Sequence, residues 1–146
     1  MRRYDAGFRD VKAAVDGGVI GEALLVHAVH RNKSVPDFFR GEMSLTDSVV
    51  HEFDTFRWLL GQEIVATTVV GVRQNPLGPP HLRDPQIVLL EFANGAVADV
   101  ESFANCGYGY DVRCEVVGST GTVALENPRT AIVLRDGHRG EPVPPD

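Results

Sequence analysis

A chain of 146 residues is long enough for one domain with a real core. Its formal net charge of -6 excludes a nucleic-acid surface built on clustered Lys and Arg, since Arg2-Arg3 is the only early basic pair. With 43% hydrophobic and 23% charged residues and no apolar run of membrane-spanning length, the sequence describes an ordinary soluble globular domain.

The N-terminus passes from Met1-Arg2-Arg3 straight into Tyr4-Asp5, without the apolar stretch of a signal peptide. Cys106 and Cys114, the only cysteines, make neither a disulfide framework nor a zinc ligand set by themselves, so a reducing cytoplasm is the expected location. No metal site is expected.

Asp5 is placed to cap a first helix with Phe8, Val11, Lys12 and Val15 on one side, and Gly17-Gly18 ends it. A strand is expected over residues 23–32, with Leu24, Val26, Ala28, His30 and Asn32 on one face and Leu25, His27, Val29 and Arg31 on the other. After a loop containing Pro36 and Gly41, a second helix spans about residues 46–60 and stops at Gly61. The β-branched run 64–72 is a strand, and the proline-rich stretch 75–85 is a loop.

Two hairpins follow. Strands 87–92 and 96–103 flank the turn Asn94-Gly95, and strands 110–117 and 122–125 flank Gly118-Ser119-Thr120-Gly121. A short strand over 131–134 precedes Asp136-Gly137, and the chain after Gly140 is proline-rich and expected to be loose. Helices first and hairpins after predict an α+β fold, a largely antiparallel open sheet with helices on one face.

A two-residue turn at Asn94-Gly95 puts Val88, Leu90, Phe92 and Val97 on one side, and Ile87, Leu89, Ala98 and Val100 on the other. Both faces are then apolar. One face takes the helices, and the other is expected to take a partner subunit, or else a loop or helix that covers it.

The second helix carries the chemistry. At 100° per residue, Val49, Phe53, Phe56 and Leu60 form one stripe, while Asp47, His51, Asp54 and Trp58 form another nearly opposite. The polar stripe reads as a general base on a rigid scaffold. Neutral His51 can accept a hydroxyl proton near pH 7, Asp47 can hold the ring, and Asp54 can accept from another hydroxyl. A row of acceptors suits a polyol. The alternative is a solvated helix face with a weak Asp–His pair. His30 and Asn32 share a strand face and could line a polar pocket facing the helix, or simply be ordinary polar residues at a strand end. Tyr110, following Gly107-Tyr108-Gly109, reads as core or rim. Gly118-Ser119-Thr120-Gly121 joins two strands and so lacks the helix N-terminus that a phosphate cradle needs.

Taken together, Met1-Arg2-Arg3-Tyr4-Asp5, the strand ending His30-Arg31-Asn32, and Asp47-Ser48-Val49-Val50-His51-Glu52-Phe53-Asp54 followed by Arg57-Trp58-Leu59-Leu60-Gly61 resemble one family. It is the Gfo/Idh/MocA family of NAD(P)-dependent oxidoreductases, and within it the myo-inositol 2-dehydrogenases most closely. Members have an N-terminal Rossmann domain for the cofactor and a C-terminal α+β domain that binds substrate and builds oligomers. The chain resembles the second part, so residues 1–146 are expected to be a substrate-binding and oligomerisation domain without the Rossmann half.

Carried over position by position, the resemblance makes His51 the acid/base and Asp47 its partner. It implies that Arg2, His30, Asn32, Asp54 and Tyr110 contact substrate hydroxyls, and that Met1 lies close to substrate and nicotinamide. No Gly-x-Gly-x-x-Gly fingerprint and no Glu-Lys-Pro catalytic motif occurs; Lys12 and Lys33 are the only lysines. The chain is therefore expected to be a fragment, a truncated gene product or one piece of a split enzyme with a separate Rossmann-domain partner. NAD or NADP serves the intact enzyme, none is expected on this chain alone, and alone it is expected to be inactive. The implied reaction is oxidation of a secondary alcohol of inositol or a related sugar or polyol to a ketone. A non-catalytic assembly module is the rival reading, and a metal-dependent sugar hydrolase or isomerase stands third.

Overall fold

In a computed structural model the described residues are 1–126, 130–135 and 137–140. The expected loose tail beyond Gly140, and Asp136 before the last turn, lie outside them. A 3-10 turn, Arg2–Tyr4, leads into α1, Ala6–Asp16. Asp5 caps α1 as expected, its side chain accepting from Gly7 N and Phe8 N at 3.0 and 3.4 Å. Phe8, Val11 and Ala14 form the buried face of α1.

Strand β1 is Ala23–Arg31, β2 is Ile64–Gly71, β3 is Gln86–Phe92 and β4 is Val97–Phe103. Strands β5, β6, β7 and β8 are Asp111–Gly118, Gly121–Glu126, Thr130–Arg135 and His138–Gly140. They form one open sheet in the order β2-β3-β4-β1-β5-β6-β7-β8. Every pairing is antiparallel except the central β1–β4 pair. The α+β class and the largely antiparallel open sheet are as the sequence implies. No helix among the described residues is long and apolar enough to cross a membrane.

Two local expectations are corrected. The β3–β4 loop has three residues, because Phe92 N bonds Ala96 O at 2.9 Å and Gly95 adopts φ +89°. A three-residue loop with a left-handed glycine at its end shifts the register by one relative to a two-residue turn. Leu90 therefore faces Ala98, Val88 faces Val100, and all four lie in the core, whereas Val97 is exposed beside Glu91.

The second correction concerns the second helix. Ser44–Val49 is a π turn, and the α-helix proper, α2, is Val50–Leu60. A π turn closes i to i+5 and advances less than 100° per residue. The α-helical spacing drawn from Asp47 to His51 does not hold across it, while His51 and Asp54 keep helical spacing within α2.

The core lies between the helices and one sheet face. Val26, Ala28, Val88, Leu90, Ala98, Val100, Val112, Cys114, Val116 and Val123 meet Phe8, Val11, Val49, Phe56 and Leu59 there. Cys114 is fully enclosed, and burial pushes its thiol up to about 12, so it is an inert packing residue. On the opposite face, half-buried Leu25, Val29, Ile87, Leu89 and Ala124 alternate with charged side chains. Arg31 grips Glu101 with both Nε and Nη2, at 2.6 and 2.9 Å, and reaches Asp111 at 3.3 Å. With Ala98 and Val100 in the core, this face is more polar than the sequence implied.

Gly118 is fixed by a close approach. A Cβ there would lie 2.1 Å from the Ile20 carbonyl oxygen. We expect Gly118→Ala to cost about 1–3 kcal/mol as overpacking. Gly71→Ala, where a Cβ meets nothing within 4 Å, should be near neutral. Urea unfolding of the two variants checks this through their midpoints at constant slope.

Candidate functional site

The site forms where the 3-10 turn, the C-terminal half of β1 and α2 converge. The turn is closed by Tyr4 N to Met1 O and Asp5 N to Arg2 O, at 3.2 and 3.0 Å. It aims the first arginine inward and the second outward. Arg2 lies over the Phe8 ring, 5.7 Å from its centroid, and its Nη1 donates to Glu52 Oε1. Arg3 instead pairs through Nε and Nη2 with the exposed carboxylate of Asp54, which holds that carboxyl below its usual range.

Glu52 is the residue that the periodicity of the sequence does not single out. It is only 1% exposed, on the buried side of α2, and accepts from Arg2 while both its oxygens lie within 3.1 Å of His30 Nδ1. His30 is itself 4% exposed. A buried carboxylate is sustained only by paired charge and hydrogen bonds, and Arg2 and His30 provide both. The available signal is its place in the helix, three residues after Val49 and four before Phe56, both fully buried.

The His30 ring lies near-parallel to His51, with centroids 6.4 Å apart and planes inclined by 19°, and meets Tyr110 edge-on, also at 6.4 Å. Met1, Arg2, Asp5, Phe8, His51 and Tyr110 line a cavity of about 170 Å³. Small-molecule pockets usually hold about 300–1,000 Å³, so this cavity is smaller than most. A larger hollow of about 340 Å³ lies on the opposite sheet face, remote from His51.

The structure thus brings together Arg2, His30, His51 and Tyr110, with Met1 at the rim, 88% exposed. Asn32 stands beside them, its Nδ2 3.5 Å from Ser48 Oγ. It does not bring in the two aspartates. Asp47 is exposed on the π turn and accepts from Thr46 Oγ1 at 2.8 Å, and no hydrogen bond joins it to His51 among the described residues. Asp54 is engaged by Arg3 and is not among the residues lining the cavity. Among the described residues, no group of three or more His, Cys, Asp or Glu side chains is placed to hold a metal ion.

His51 is held on α2, where Thr55 Oγ1 donates to its carbonyl oxygen at 2.6 Å. Partial burial lowers its pKa from the ordinary value, as do Arg2 and His30, while Glu52 opposes them. The ring is therefore neutral near pH 7 and able to take a proton.

Residues 8–124 match the family described as the GFO/IDH/MocA C-terminal domain, and the chain belongs to that family. It is 53% identical over 128 residues to inositol 2-dehydrogenase 3 of Saccharopolyspora erythraea, covering 88% of this chain and 38% of the relative. It is 50% identical over 137 residues to inositol 2-dehydrogenase of Pseudomonas fluorescens, covering 94% and 40%. Among solved structures, the myo-inositol dehydrogenase of Lactobacillus casei, in complex with NAD(H) and myo-inositol, superposes with a TM-score of 0.84 at 35% identity, covering 97% of this chain and 42% of that one. The chain spans about two-fifths of the length of these relatives.

The His51 environment sets a sign for pH dependence. Its folded pKa lies below the unfolded value near 6.5. The unfolded chain then takes up the proton first, and the His51 contribution to stability is complete above about pH 7 and declines as pH falls below about 6.5. An NMR titration of the His51 ring should give a midpoint below that of a free histidine, and Arg2→Gln should raise it. A midpoint unmoved by Arg2→Gln would remove the guanidinium from the electrostatics of the site.

Proposed function

We propose that the chain is the substrate-binding half of an NAD(P)-dependent oxidoreductase that oxidises a secondary hydroxyl of inositol or a related polyol. The observation that carries this reading is that neutral His51, Arg2 and Tyr110 line one open cavity, with the buried His30 ring packed against His51 and Tyr110. It is supported by the inositol 2-dehydrogenase names of the relatives.

His51 takes the proton of the reacting hydroxyl, a role its lowered pKa permits. Arg2 and His30 are held rigidly by Glu52 and meet neighbouring hydroxyls, with Tyr110 and Asn32 beside them. Asp47 and Asp54 stand outside this cluster, Asp47 on the π turn and Asp54 engaged by Arg3, and carry no role in the scheme. A polyol satisfies such a site because each carbon brings a hydroxyl that both donates and accepts.

NAD or NADP supplies the hydride acceptor when bound. The described residues fit it only at its reacting end, with Met1 and His51 at the cavity mouth, since Gly118–Gly121 joins β5 to β6 and opens no helix. The phosphates and adenosine need a Rossmann domain in the same longer protein or on a partner. The chain works in the cytoplasm in this reading.

The test is a chimera in which the N-terminal part of the Saccharopolyspora relative precedes this chain. We expect NAD reduction with myo-inositol by the chimera and none by the 146-residue chain. His51→Ala in the chimera should cost roughly 10²–10⁴-fold in rate, as for lost acid–base catalysis. Turnover by the chain alone, or near-normal turnover by the variant, would contradict the scheme.

The open sheet face, with Ile87, Leu89 and Ala124 among its ion pairs, is in this reading the contact between copies. The rival reading, a non-catalytic assembly module, shares that surface but leaves His51 idle. Sedimentation at micromolar concentration should show an oligomer that Leu89→Asp weakens, whereas a monomer would contradict the contact.

A further inference from the structure

We propose that the buried carboxylate of Glu52 fixes His30 as its Nδ1–H tautomer, so that Nε2 is a hydrogen-bond acceptor for a substrate hydroxyl. Glu52 is then a positioning residue that sets the polarity of the pocket without touching the ligand. The identity of the hydroxyl rests on the polyol reading above; the tautomer rests on geometry alone.

Three distances meet at His30 Nδ1. Glu52 Oε1 and Oε2 lie 3.1 and 3.0 Å away, and Arg2 Nη2 lies 3.1 Å away. A guanidinium only donates, and a carboxylate paired with one only accepts. One ring nitrogen cannot serve both. If Nδ1 is bare, its lone pair faces two charged oxygens 3.1 and 3.0 Å away, in a carboxylate only 1% exposed. If Nδ1 carries the proton, it donates to Glu52, and a single Arg2 N–H must find another acceptor.

Arg2 can redirect that N–H. Its side chain is 13% exposed and lines the cavity, while its Nη1 keeps the bond to Glu52. Glu52 has no such freedom. The second arrangement strands nothing, and the first strands a buried carboxylate against a lone pair, the costlier of the two.

In the neutral ring the proton on Nδ1 leaves Nε2 as the acceptor. The ring is flanked by His51 and Tyr110, both lining the cavity. A hydroxyl presented there donates to His30 and remains free to accept from Arg2. A carbonyl at that ring position has no proton to give and loses the bond. The His30 position therefore distinguishes a hydroxyl from a keto group.

Long-range ¹H–¹⁵N NMR of the labelled chain at about pH 8, above the ordinary histidine range, reads the tautomer directly. The expected result is a protonated Nδ1 and a bare Nε2 at His30. Glu52→Gln, whose amide can donate to Nδ1, should move the ring toward the Nε2–H form, and Glu52→Asp should restore Nδ1–H at least in part. A wild-type His30 in the Nε2–H form overturns the proposal, whether or not the variants fold. So does a folded Glu52→Gln variant with an unchanged tautomer. An Nδ1–H ring in a protein whose chimera ignores myo-inositol supports the tautomer and removes only the substrate.

Discussion

The arrangement of the site depends on one buried carboxylate. Glu52, on the inner side of α2, must be compensated, and it draws Arg2 from the N-terminal turn and His30 from β1 to the same point. Arg2 belongs to a turn of three residues, and His30 is the penultimate residue of β1, paired with β4 on one side and β5 on the other. A charge that cannot be hydrated ties the N-terminal turn to the sheet at a single point.

That tie explains the character of the cavity. The guanidinium and the neighbouring imidazole disfavour a proton on His51, and partial burial does so more strongly. A base that is neutral near pH 7 results from this packing rather than from a dedicated carboxylate partner. The exposed aspartates belong to a different layer. Asp54 ties the outer side of α2 to Arg3, an exposed pair of modest energetic value, and Asp47 sits on the π turn. The sheet serves as a rigid back plate, with the parallel β1–β4 pair at its centre directly beneath His30.

Much of this is legible from residues. The cap at Asp5, the stop at Gly61, the β-branched run of β2 and the hairpin glycines announce nearly every element through local chemistry. His30 facing the helix follows from strand alternation. What is not legible depends on a count. A loop of three residues rather than two reverses the faces of β4, and a π turn rather than an α turn rotates Asp47 away from His51. The first is set by one closing hydrogen bond and the second by the i to i+5 pattern over six residues, and periodicity resolves neither. Glu52 escapes notice because a glutamate beside a polar stripe reads as solvated, and its burial becomes sensible only once Arg2 arrives from fifty residues away.

The claim that Glu52 and Arg2 act as one unit is tested most directly by a double-mutant cycle on folding stability. Arg2→Met and Glu52→Gln should each destabilise the chain by about 3–5 kcal/mol, because each strands the other's charge or hydrogen bonds in a buried site. Combined, they should cost far less than the sum, with a coupling of about 2 kcal/mol or more. Additive effects, with a coupling under about 0.5 kcal/mol, would contradict the account, because the two groups would then be neighbours without dependence.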